Sequence, residues 1–99
     1  MAKRKIIWSH KARIKLYEIM DFYIERNGNS AYSAKLYKLF TKNIKLLLSH
    51  PNLGIKTDIE GVRGLVIADY IIFYELIGND LVIHTLWPTK QDPNKLIIK

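Results

Sequence analysis

Ninety-nine residues, 48% of them hydrophobic, make one domain, residues 1–99, with a small but real core. The absence of cysteine excludes a disulfide framework, thiol chemistry and cysteine-based zinc sites. The apolar runs are too short to cross a bilayer, and Lys3-Arg4-Lys5 leads only into Ile6-Ile7-Trp8, so no membrane partner, no secretory signal and a cytoplasmic location are expected.

The net charge of +7 is unevenly placed. Residues 3–15 carry Lys3, Arg4, Lys5, Lys11, Arg13 and Lys15 without an acid, and residues 27–57 carry Lys35, Lys38, Lys42, Lys45 and Lys56, again without one. Such runs either keep a protein soluble or meet a polyanion, a nucleic acid or an acidic protein.

Taken in order, Lys5-Ile6-Ile7-Trp8 predicts a first strand, and Ser9 an N-cap whose hydroxyl accepts an orphan backbone N–H. Ala12, Leu16, Ile19, Met20 and Tyr23 then share one helical face. Asn27-Gly28-Asn29 ends that helix with residues that tolerate the left-handed conformation, and Ser30 is expected to cap the next one. Ala34, Tyr37, Phe40, Ile44, Leu47 and Leu48 form its apolar stripe, and His50-Pro51 stops it. Two helices joined by a tight turn predict an antiparallel helical hairpin. Leu53 to Glu60 reads as a connector.

From Gly61 onward the composition changes. Runs over 61–67, 70–77 and 81–87 are rich in β-branched and aromatic residues, separated by Ala68-Asp69 and by Gly78-Asn79-Asp80. This predicts a three-stranded antiparallel meander, and with the first strand a four-stranded sheet of an α+β protein. Along 70–77, Tyr70, Ile72, Tyr74 and Leu76 share one face, and Ile71, Phe73, Glu75 and Ile77 the other. Both are apolar enough that a partner is expected over the second.

Four polar residues stand out in or beside these strands: Arg63, Glu75, His84 and Lys90. Arg63, on the face of Leu65 and Ile67, suits either a cross-strand pair with Glu75 or a phosphate clamp. His84, expected on the face of Val82 and Leu86, suits either a satisfied buried histidine or a general acid or base. His10 and His50 read as helix-end residues without a role. No phosphate-binding glycine loop and no zinc-binding His-Glu-x-x-His run is present, and no cofactor or metal is expected.

The order and spacing of several stretches resemble the RelE/ParE superfamily of toxins from bacterial type II toxin–antitoxin systems. They are Ile6-Ile7-Trp8-Ser9-His10-Lys11-Ala12, Ser30 to Ala34, Leu46 to Gly54, Gly61-x-Arg63, Asp69 to Tyr74, and Val82 to Trp87 followed by Lys90-Gln91-Asp92-Pro93. The resemblance implies the α+β fold just read, an N-terminal strand, a helical hairpin and a meander. It also implies a cognate antitoxin as partner, with operator DNA reached only through that antitoxin. Members that resemble RelE cleave mRNA on the ribosome; for these Arg63 matches the strand-two arginine and Lys90 falls where an arginine follows the last strand, while His84 joins them as the candidate acid or base read from the residues, and Lys56, Glu75, Ile71 and Phe73 are expected on the RNA or partner surface. Against that pattern, Ile71 stands where arginine is frequent, and Leu96 lies near where a tyrosine is expected. Members that resemble ParE inhibit DNA gyrase and do no chemistry. The resemblance therefore leaves two targets, ribosome-bound mRNA as the first expectation and gyrase as the alternative.

Overall fold

The computed structural model describes residues 4–89. They form β1 (Lys5–Trp8), α1 (His10–Asn27), α2 (Ala31–Ser49), β2 (Ile55–Lys56), β3 (Val62–Ile67), β4 (Tyr70–Ile77) and β5 (Asp80–Pro88). The strands lie in one sheet in the order β1-β5-β4-β3-β2. β3, β4 and β5 are the expected meander, β1 runs parallel to β5, and the connector supplies a fifth strand, β2, that pairs with Arg63 and Gly64 of β3. The sheet is thus mixed and five-stranded rather than four-stranded. A strand of two residues is too short to show an alternating pattern.

Ser9 joins the sheet to the first helix. Its hydroxyl accepts the Ala12 N–H at 3.0 Å and donates to the His84 carbonyl at 2.8 Å, while its own N–H donates to the Ile83 carbonyl. Gly28 ends α1 at φ 71°, where a Cβ would be strained. Ser30 does not cap α2 with its side chain; the Asn29 Oδ1 accepts the Ala31 N–H at 3.0 Å instead. That bond is an Asx turn to the first helical N–H, a different orphan donor from the second or third one that a capping serine accepts.

Both helices pack on one face of the sheet. Ala12 and Leu16 of α1 and Leu36, Phe40, Ile44 and Leu47 of α2 meet Ile67, Tyr70, Ile72, Tyr74, Leu81, Ile83 and Leu86 in one core. The buried stripe of α2 is therefore rotated from the expected one: Ser33 and Leu36 are inside, and Ala34 and Tyr37 are exposed. Ser33 can be inside because its hydroxyl donates to the Met20 carbonyl of α1 at 2.7 Å, which satisfies a buried polar group.

The register of β4 on β5 breaks between Phe73 and Tyr74. Phe73 faces Thr85 and Tyr74 faces Ile83, so His84 is an extra residue without a partner across the ladder, a β-bulge. The bulge reverses the alternation beyond it. His84 stays on the outer face with Val82, whereas Leu86 turns into the core at 1% exposure, not to the face of His84 as expected. The outer face is also less open than its sequence suggests. The side chains of Phe73 and Ile71 lean over Gly64, where a Cβ would lie 3.3 Å from Phe73 Cε1 and 3.1 Å from Ile71 Cγ2. Phe73 is buried, Ile71 is half-buried, and Val66 and Ile77 are exposed.

Candidate functional site

Arg63 lies opposite Tyr74 in the β3–β4 ladder, and directly opposed residues point to the same face. Tyr74 is a core residue, so Arg63 is on the helix side of the sheet. There its Nη1 donates to the Gly54 carbonyl at 2.7 Å and to the Asn52 carbonyl at 3.3 Å. The Tyr74 hydroxyl works on the same segment: it donates to the Pro51 carbonyl and accepts the Gly54 N–H, each at 2.8 Å. Gly54 is needed for this approach, since a Cβ would lie 2.7 Å from the Tyr74 hydroxyl and 2.9 Å from the Gly64 carbonyl. Together Arg63 and Tyr74 latch the chain leaving α2 onto the sheet. Burial raises the Tyr74 hydroxyl above its usual pKa, an effect that the Gly54 N–H and the Arg63 charge oppose.

Glu75 is the next residue along β4 and points to the other face. Its Oε1 lies 2.9 Å from His84 Nε2, and both side chains are a little over one-quarter exposed. The expected cross-strand pair of Arg63 with Glu75 is not formed; each has a different partner on a different side of the sheet. The bulge presents His84 to Glu75, because it adds one residue to β5 at this point. Lys56, opposite Arg63 on the edge strand, is exposed and borders a groove of about 200 Å³ lined by Thr57, Ile59, Glu60, Gly61, Val62 and Arg63. Lys90 lies outside the described residues.

The structure therefore brings His84 to Glu75 and leaves Arg63 on the opposite face from both. The residues that the sequence did not single out are Tyr74 and Gly54. A usable signal existed: a tyrosine on a core-facing strand position must find a partner for its hydroxyl. Part of the basic run also has structural employment, since Arg4 Nη1 donates to the Leu48 carbonyl in the last turn of α2 at 2.7 Å. Among the described residues no group of three or more histidines and carboxylates is placed to hold a metal ion, and no helix is long and apolar enough to cross a membrane.

A family model described as the ParE toxin of a type II toxin–antitoxin system, parDE, matches residues 6–93. A solved structure described as a chromosomal ParDE toxin–antitoxin system from P. aeruginosa has a TM-score of 0.76 to this chain at 20% identity, covering 87% of this chain and 96% of that one. No curated protein matches the chain. A helical hairpin on one face of this mixed sheet, together with the match over most of the chain, defines a toxin of the RelE/ParE superfamily. Within it, the chain belongs to the ParE toxin family of type II toxin–antitoxin systems, and membership implies an antitoxin partner.

Proposed function

We propose that this toxin arrests growth by binding DNA gyrase, without chemistry of its own, and that a cognate antitoxin in the same cytoplasm neutralises it by covering the outer sheet face. The observation that carries this reading is the separation of Arg63 from His84. Cleavage of a phosphodiester needs a proton-transfer group and charge stabilisation at one phosphate, within hydrogen-bond reach of it. Arg63 and the Glu75–His84 pair have the sheet between them. Arg63 is also already bonded to the Asn52 and Gly54 carbonyls, so turning it to a phosphate would break the latch on the segment after α2. A binding function fits what α1 presents instead: Ile14, Tyr17 and Ile24 are exposed along one side of the helix, more apolar surface than solvation alone requires.

The ribonuclease reading, in which Arg63, His84 and Lys90 act on mRNA at the ribosome, keeps one observation in its favour. The Glu75–His84 pair is partly open and is chemically suited to acid–base work. His84→Ala separates the two readings. We expect the variant to block gyrase supercoiling as the parent does and to leave mRNA intact; loss of toxicity in a folded His84→Ala protein, with mRNA cleavage by the parent, would replace this reading with the ribonuclease one. On either reading the antitoxin meets Val66, Ile71 and Ile77, with Glu75 at the rim; Lys56, opposite Arg63, lies with it on the helix side and outside this surface.

A further inference from the structure

The strongest unassigned feature is on the other side of the molecule. Lys35, Lys38, Lys42 and Lys45 stand at i, i+3, i+7 and i+10 along α2 and are all exposed. That spacing places them within one narrow stripe, roughly 15 Å long at about 1.5 Å rise per residue. Leu36, Phe40, Ile44 and Leu47 occupy the opposite side of the helix and are buried against the sheet, so the stripe is the outermost line of the hairpin. No aspartate or glutamate occurs anywhere in α2, and none of the four lysines makes an ion pair with a described residue.

We infer that this lysine stripe grips the phosphodiester backbone of a nucleic-acid duplex, a contact made by the toxin itself rather than through an antitoxin. Four cations on a rigid rod match a row of phosphates, and lysine serves a phosphate as a point charge without a fixed bonding geometry. A single strand fits less well, because such sites add aromatic side chains on which bases stack, and the stripe holds none. An anionic membrane fits less well, because an interfacial helix inserts its apolar face, and that of α2 is already spent on the core. An acidic protein fits less well, because lysine is depleted from the centres of protein interfaces, where tyrosine, tryptophan and arginine do the anchoring. The contact reads no sequence, since phosphates carry none. It is independent of the gyrase reading: a duplex contact can stand whether the cellular target is an enzyme on DNA or the ribosome.

The test is the salt dependence of binding by the purified full-length chain to fluorescent duplexes of DNA and of RNA. Each phosphate contact contributes about 0.9 to the slope of log affinity against log salt on DNA, so four contacts weaken binding on the order of 100-fold between about 50 and 200 mM salt. We expect each of Lys38→Gln and Lys42→Gln to lower the slope by about one contact, and the quadruple Lys→Gln variant to lose most of the salt dependence. Circular dichroism confirms that each variant keeps its helices; glutamine is a good helix former at exposed positions. Binding to both duplexes identifies the shared backbone, and binding to one identifies the source. The inference is overturned if neither duplex binds at about 50 mM salt, if the quadruple variant keeps the parental slope, or if phosphatidylserine vesicles or a single strand bind more tightly than either duplex.

Discussion

Arg63 looks like a phosphate clamp in the sequence and behaves as a strut in the structure. A hydrogen bond from a charged donor contributes about 1.5–3 kcal/mol, and Arg63 makes two, one of them long and exposed. Arg63→Ala should therefore lower stability by about 1–3 kcal/mol in urea unfolding, and toxicity should fall only as the folded fraction falls. Unchanged stability with abolished toxicity would return Arg63 to the functional surface. Its position at the start of a strand was legible from Gly61-x-Arg63. Its partners were not, because both are backbone carbonyls of a connector whose path no side-chain pattern records.

Tyr70 gives a second residue-level test. It donates to the Tyr23 hydroxyl at 3.2 Å, and burial first, then that bond, hold its proton well above the usual 10.0. Unfolded tyrosine ionises near 10.0, so above that pH the unfolded chain binds fewer protons than the folded one, and stability falls as pH rises. Below pH 10.0 both states keep the proton and the contribution is fully present. Melting temperature measured across the alkaline range should drop less steeply for Tyr70→Phe than for the parent; an identical slope would place the alkaline sensitivity in another group.

At the scale of elements, α2 supplies most of the buried helical side chains of the core, Leu36, Phe40, Ile44 and Leu47. Phe40 and Leu47 are fully buried in the shared core. Phe40→Ala and Leu47→Ala should each cost about 2–5 kcal/mol, the range for large-to-alanine cavities, in chemical denaturation. A loss below about 0.5 kcal/mol at both would mean that the core does not rest on this helix face. Most of the elements were readable, because β-branched strands, the Ser9 cap and Gly28 each carry their own local chemistry. The face of α2 was not fully readable, since Tyr37, Leu39 and Leu46 are apolar yet exposed and blur the period. The bulge at His84 was invisible for a different reason. It is a mismatch between two strands, and an alternating pattern describes one strand at a time. That single inserted residue sends Leu86 to the core and leaves His84 beside Glu75, which decides what the candidate site contains.

At the scale of the whole molecule, the toxin has two unlike sides. The outer sheet face carries the Glu75–His84 pair, half-buried Ile71 and exposed Val66 and Ile77, while the helical side carries the lysine stripe. The family likeness covers nearly the full chain and reaches the fold and the antitoxin; the target lies with side chains, and here Arg63 and His84 do not converge. The most direct measurement pairs gyrase supercoiling and ribosome-dependent mRNA cleavage in purified systems, with the parent toxin and with His84→Ala. Both proteins should inhibit supercoiling, and neither should cleave mRNA. Cleavage of mRNA by the parent, lost in His84→Ala, with supercoiling untouched, would contradict the gyrase reading.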